Sequence, residues 1–78
     1  MTLLDLHSGQ AARIVELPLG SMARHRLLDL LILPGTEIKV MRRDFVGPVI
    51  IKVRSSRVAI GRGLASQIIV EKMETGTE

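Results

Sequence analysis

The sequence has no cysteine, no tryptophan and no tyrosine, and its one aromatic residue is Phe45. Without cysteine there can be no disulfide, no thiolate metal site and no cysteine nucleophile. With a single aromatic ring, the stacking platforms on which single-stranded nucleic acid rests have almost nothing to be built from. Long hydrophobic runs are missing too. The longest is Leu30–Leu33, against the roughly 20 residues a membrane-spanning helix needs. The first residues carry no basic stretch and include Asp5, so a secretory signal is not expected. With no cysteine in addition, a cytoplasmic location is the expectation.

What is present points to one small domain. The chain has 78 residues, of which 46% are hydrophobic, too many for a disordered tail. A domain of this size buries only about 60% of the surface its unfolded chain exposes, so its core is thin and leaves little room for a deep catalytic pocket. The net charge of +3 is unevenly spread. Residues 36–63 hold Lys39, Arg42, Arg43, Lys52, Arg54, Arg57 and Arg62 against Glu37 and Asp44, seven cations to two acids, or +5. Such a basic middle attracts phosphates or an acidic protein surface. The plainer reading is the solvated face of a hairpin, where lysine and arginine discourage edge pairing.

Periodicity divides the chain into elements. Ala11 to Leu17 reads as a strand with Ala12 and Ile14 on one face, stopped by Pro18 and Gly20. Ser21 is a candidate helix N-cap. A helix within 21–32 follows from Ala23, Leu27, Leu30 and Leu31, which share one face of a 3.6-residue period. Pro34-Gly35 closes it. From Thr36 the period becomes two, with Ile38 and Val40 in one run and Val49, Ile51 and Val53 in the next. The turn signal of residues 43–48 lies between them. Ser55-Ser56 is the next tight connection, Arg57 to Ile60 a third run, Gly61 to Gln67 a single helical turn, and Ile68 to Lys72 a last strand. Residues 73–78 are a polar tail expected to fray. Five short strands with one helix inserted after the first predict a mainly all-β fold, a small and partly open barrel. The expected core is Ile14, Leu27, Leu30, Ile38, Val40, Val49, Ile51, Val53, Val58, Ile60, Ile68 and Val70.

No nucleophile–base set and no phosphate-cradling loop is visible, so no enzymatic activity is expected. Gly61-Arg62-Gly63 lacks the third glycine and the strand–turn–helix context of a dinucleotide site. His25 and Asp29 stand at i, i+4 on one helix face, a spacing that can hold a divalent ion with two ligands. His7 lies near a turn beside Asp5. Any metal held by these groups, Fe²⁺ or another divalent transition metal, is expected to bind weakly, because few imidazoles and carboxylates can converge. The four methionines fill core gaps more naturally than they form a soft-metal site.

The order of signals resembles a known family. Leu6-x-x-Gly9-x-x-Ala12-x-Ile14 opens the chain. Arg26-Leu27-x-x-Leu30-x-Ile32-x-Pro34-Gly35-Thr36-x-Ile38-x-Val40 follows, then Gly47-Pro48-Val49, then Val58-Ala59-Ile60-x-Arg62-x-x-Ala65-x-x-Ile68-x-Val70. Along nearly its whole length this is similar to the ferrous iron transport protein A family, FeoA. The resemblance implies an SH3-like β-barrel with an inserted helix. It also implies a cytoplasmic accessory to FeoB, the membrane iron transporter with a G-protein domain. The same fold forms the C-terminal domain of DtxR-type metal-dependent repressors. Two places depart from the family pattern. Leu31 stands where the helix usually ends at glycine. Ile60-Gly61-Arg62-Gly63-Leu64-Ala65 stands for Leu-Arg-Arg-x-Glu-Ala, so Gly61 and Leu64 replace an arginine and a glutamate.

Three readings follow. The first is a non-catalytic interaction module that binds or modulates the transporter, or self-associates as a homo-oligomer. Its expected contacts are Arg24, Leu28 and Leu31 on the helix and Arg42, Arg43 and Arg54 in the basic middle. Leu28 and Leu31 give the helix more apolar surface than one core stripe requires. The second is a metal-sensing SH3-like regulatory module. The third, a small basic barrel that binds nucleic acid, is disfavoured by the missing aromatics.

Overall fold

A computed structural model describes residues 1–18, 20–44 and 46–73. Phe45 and the acidic tail with Glu74 and Glu78 lie outside the described residues. The strands are β1 (Ala11–Glu16), β2 (Glu37–Arg42), β3 (Val49–Val53), β4 (Ser56–Ile60) and β5 (Ile69–Met73), with helix α1 (Ser21–Asp29) after β1 and the one-turn helix α2 (Arg62–Ala65) before β5. Met73 therefore belongs to the last strand and is half-buried, not part of the tail.

All strand pairs are antiparallel and the sheet runs β4-β3-β2-β1-β5 without closing. The period-two patterning produces the register it predicts. Val49, Ile51 and Val53 are buried, Lys52 is exposed, and Ile38 and Val40 point inward beside them. The core is wholly apolar among the described residues. Of the twelve expected members, ten are buried, Val58 is half-buried and packs against them, and Leu30 is 43% exposed.

Other side chains complete the core. Leu3 and Leu6, both fully buried, come from the N-terminal segment. Residues 1–3 run along the outer edge of β5: Leu3 N–H donates to the Ile68 carbonyl at 3.0 Å and Val70 N–H to the Met1 carbonyl at 2.9 Å. A 3₁₀ turn over Leu3–Asp5 then delivers Leu6. It is held by the Asp5 carboxylate, which accepts from Thr2 N–H at 2.8 Å. This segment masks one of the two edges an open sheet exposes. Ala12, Leu17, Pro18, Ile32 and Ala65 are the remaining buried side chains among the described residues.

Helix α1 starts differently from expectation: Gly20 occupies the N-cap and Ser21 is the first helical residue. It also stops earlier, with Leu30 as C-cap. Leu31 N–H donates to the Leu28 carbonyl and Ile32 N–H to the Leu27 carbonyl, both at 2.9 Å. These are the two bonds of a Schellman cap, whose C′ residue takes the left-handed conformation. That residue is Leu31, with φ of 62°. The leucine thus adopts the conformation it intrinsically resists, and the buried pair Leu27 and Ile32 supplies the apolar contact that accompanies the cap. Ending the helix here turns Leu30 outward and gives its expected place in the core to Ile32. Leu33-Pro34-Gly35-Thr36 follows as a turn closed by Thr36 N–H on the Leu33 carbonyl at 2.9 Å. Pro34 sits at its second position and Gly35, φ of 92°, at its third, as a type II turn requires.

The β3–β4 hairpin turns on Arg54-Ser55, one residue before the expected Ser55-Ser56, and Ser56 already pairs with Val53. Arg54 has φ of 57°, and it and Leu31 are the non-glycine residues with positive φ among those described. Glycine is the ordinary occupant of such a hairpin position. Arg54→Gly is therefore expected to raise stability by about 1 kcal/mol. Thermal unfolding would show this as a midpoint higher by roughly 4–8 °C; an unchanged or lower midpoint would contradict the argument.

Candidate functional site

Two regions present side chains the core does not need. At the C-terminal end of α1, Leu30 (43%), Leu31 (56%) and Leu33 (38%) are exposed within four residues, and Pro34 beside them is exposed too. The Schellman cap and the type II turn place them there, because each reverses the chain within a few residues. Arg54 reaches this cluster from the β3–β4 hairpin, its Nη1 donating to the Leu31 carbonyl at 3.4 Å. The two non-glycine residues with positive φ among those described are thus in direct contact. Strain of this kind costs of order 1–3 kcal/mol per residue and collects at functional positions.

Along α1, Arg24, His25, Arg26 and Asp29 are exposed, while Leu28 is half-buried and packs against the core. Leu28 is therefore less available as a contact than Leu30 or Leu33, which the sequence reasoning did not select. The signal that could have found them is the usual glycine position at Leu31. Read as a C′ residue, it ends the helix at Leu30 and turns that side chain outward.

Between α1 and α2 lies an open groove of about 650 Å³ with Met22, His25 and Asp29 on one wall and Leu64 and Gln67 on the other. His25 and Asp29 thus share a surface. His7 does not line it: it lies in the turn before β1, where its N–H donates to Gln10 Oε1 at 2.8 Å. No three carboxylate or imidazole groups converge among the described residues. The departures from the family pattern have clear local roles. Gly61 is the N-cap of α2, and Leu64 is half-buried, packing against the core and lining the groove. The retained Arg62 donates from Nη1 to the Asp44 carbonyl at 2.8 Å.

Arg42 and Arg43 lie at the far end of the β2–β3 pair from Arg54, since Arg42 pairs with Ile50 while Val53, next to Arg54, pairs with Ile38. Arg42 Nε donates to Asp44 Oδ2 at 2.8 Å. Arg43 is half-buried, its backbone N–H donating to Ser8 Oγ at 3.1 Å, and its Nε is buried without a partner among the described residues. The expected contact residues therefore divide into two groups: Leu31, Leu28 and Arg54 around the helix end, with Arg24 one turn earlier, and Arg42 and Arg43 elsewhere. Among the described residues no helix is long and apolar enough to cross a membrane.

Comparison with known proteins gives a consistent picture. A family model for the FeoA domain matches residues 1–72. A putative Fe(2+) transport protein A from Methanocaldococcus jannaschii is 41% identical over 70 residues, covering 90% of this chain and 84% of its own. A crystal structure of an iron uptake regulatory protein, FeoA, superimposes with a TM-score of 0.87 at 34% identity, covering 94% of this chain and 97% of that one. The fold is also that of Stenotrophomonas maltophilia FeoA, a prokaryotic SH3 domain protein crystallised with zinc (TM-score 0.79, 22% identity, 91% and 89% covered). The manganese regulator SloR shares the fold over a third of its length (TM-score 0.83, 19% identity, 94% of this chain and 34% of that one). The SH3-like architecture that the resemblance implies is present, and the manganese regulator has the same fold.

Proposed function

Since the chain belongs to the FeoA family and so to the proteins of ferrous iron transport, we propose that it is a non-catalytic cytoplasmic accessory that binds a FeoB-like membrane iron transporter, through its G-protein domain or its membrane part. The observation that carries this reading is the exposed apolar cluster Leu30, Leu31, Leu33 and Pro34, built on a left-handed leucine. A chain that keeps a strained, solvent-exposed leucine at its helix end forgoes stability that glycine would restore. A contiguous apolar patch on so small a domain suits an interface. Arg54 at its edge supplies a cation that can orient an acidic rim of the partner. A second copy of the chain could occupy the same cluster. In this reading a divalent ion such as Fe²⁺ is at most weakly held, by His25 and Asp29.

The test is retention. Immobilised protein is expected to hold back the detergent-solubilised transporter of the same cell, and guanine nucleotide is expected to alter the amount held. Passage of the transporter through the column unretained, with and without nucleotide, would overturn the proposal.

A further inference from the structure

A second surface, which meets the apolar cluster at Arg54, carries an arrangement the fold does not require. On the outer face of the sheet Lys39 of β2 stands directly opposite Lys52 of β3, and Lys52 directly opposite Arg57 of β4. All three side chains are exposed. The neighbouring row on β2, β1 and β5 is built the other way. There Arg13 lies between Glu37 and Glu71 and pairs with both, at 3.5 and 3.7 Å. One half of the face alternates charge and the other half stacks a single sign. Arg54, two residues beyond Lys52, faces a shallow hollow together with Lys39, Lys52 and Glu37, the carboxylate that pairs with Arg13. Among the described residues no carboxylate forms an ion pair with any of these four cations. Like charges directly opposite each other across strands destabilise a sheet, so the row is held at a cost that an anionic ligand would remove.

We propose that this face docks an acidic protein segment in helical form, presenting carboxylates at i, i+4 and i+7. The spacing argues for it. Adjacent strands lie about 4.8 Å apart, so the backbone positions that carry the three cations fall near 0, 5 and 10 Å along the line across the sheet. A helix rising about 1.5 Å per residue places i, i+4 and i+7 near 0, 6 and 10.5 Å on one side. An extended segment offers same-face groups every 6.6–6.8 Å or so and runs out of step by the third. No aromatic side chain stands on this face among the described residues to stack a nucleic-acid base. The half-buried Ala11 and Met73 in the hollow offer little to insert into a lipid surface.

The experiment titrates the ¹⁵N-labelled full chain with an alanine-based helical peptide bearing glutamates at i, i+4 and i+7. Parallel titrations use an isomer with the same glutamates spread around the helix, a single-stranded oligonucleotide, and phosphatidylserine vesicles. The expected result is saturable shifts centred on Lys39, Lys52 and Arg57, with the first peptide binding most tightly. Lys52→Glu is expected to weaken that binding about tenfold or more while raising the thermal midpoint, because it converts two repulsive cross-strand pairs into attractive ones. A merely structural lysine would instead lower the midpoint when reversed. Equal binding of the isomer, tighter binding of the oligonucleotide or vesicles, shifts centred elsewhere, or undiminished binding by Lys52→Glu would each overturn the proposal.

Discussion

Leu27→Ala is expected to cost about 3 kcal/mol and to lower the thermal midpoint by roughly 12–24 °C. Leu27 is fully buried, and it is the one side chain of α1 in the buried core among those described. Its neighbours on the helix contribute less: Ala23 and Leu28 are half-buried, and Met22 is 86% exposed. The helix thus depends on a single anchor, and truncating that anchor leaves a cavity the open sheet cannot easily close. Leu27 also carries the cap, since its carbonyl accepts from Leu30 and Ile32 N–H groups and its side chain forms the apolar half of the Schellman contact with Ile32. A total stability of roughly 4–12 kcal/mol is typical for a domain this long, so the loss is a large fraction of it. Differential scanning calorimetry reads the change directly, and a fall of under about 5 °C would show that other contacts hold the helix.

The sheet was largely readable because alternation is a strong signal with one answer. A one-residue slip in β3 would put Lys52 in the core and Val53 in water, so the pattern of Val49, Ile51 and Val53 admits one register. The helix was harder. Leu27, Leu28, Leu30, Leu31, Ile32 and Leu33 are all apolar, and in such a stretch periodicity chooses poorly between faces. What decides is the cap, a backbone event at Leu31, and leucine carries no sign of a left-handed conformation. The resemblance to the family marks position 31 as one where glycine is usual; it does not tell that leucine adopts the same geometry. Leu3 and Leu6 were missed for a different reason: a short apolar lead-in has no period, and its burial comes from pairing along β5, a contact some 65 residues away. The Arg54-Ser55 turn was placed a residue late because serine looks more turn-like than arginine.

The candidate site was legible in kind and blurred in place. Composition excluded thiolate chemistry and base stacking, and the surplus of apolar residues on the helix pointed to an interface. Which leucines are exposed could not be read, since Leu28 and Leu30 are two positions apart and lie on different sides of the helix end. The cross-strand row of Lys39, Lys52 and Arg57 was hidden altogether. Its members lie on three strands and become neighbours only once the register is known.

That difference between neighbouring leucines makes the second large effect. The double variant Leu30→Asp, Leu33→Asp is expected to weaken retention of the transporter about thirtyfold or more, the scale of losing an interface hot spot. Both side chains are partly exposed, and the backbone bonds of the cap at Leu30 and the turn at Leu33 do not depend on side-chain identity, so the cost in stability should stay within about 1 kcal/mol. Leu28→Asp, two residues from Leu30, should behave in the opposite way. Leu28 packs against the core, and a carboxylate there must be desolvated without a partner, which costs several kcal/mol or unfolds the helix. Retention measured beside thermal unfolding for the two variants separates the possibilities. If the double variant binds as well as the parent, the helix end is not the interface, and Arg42 and Arg43 at the other end of the β2–β3 pair become the residues to change. If Leu28→Asp leaves the midpoint untouched, the packing that turns Leu30 outward is wrong, and with it the placement of the whole cluster.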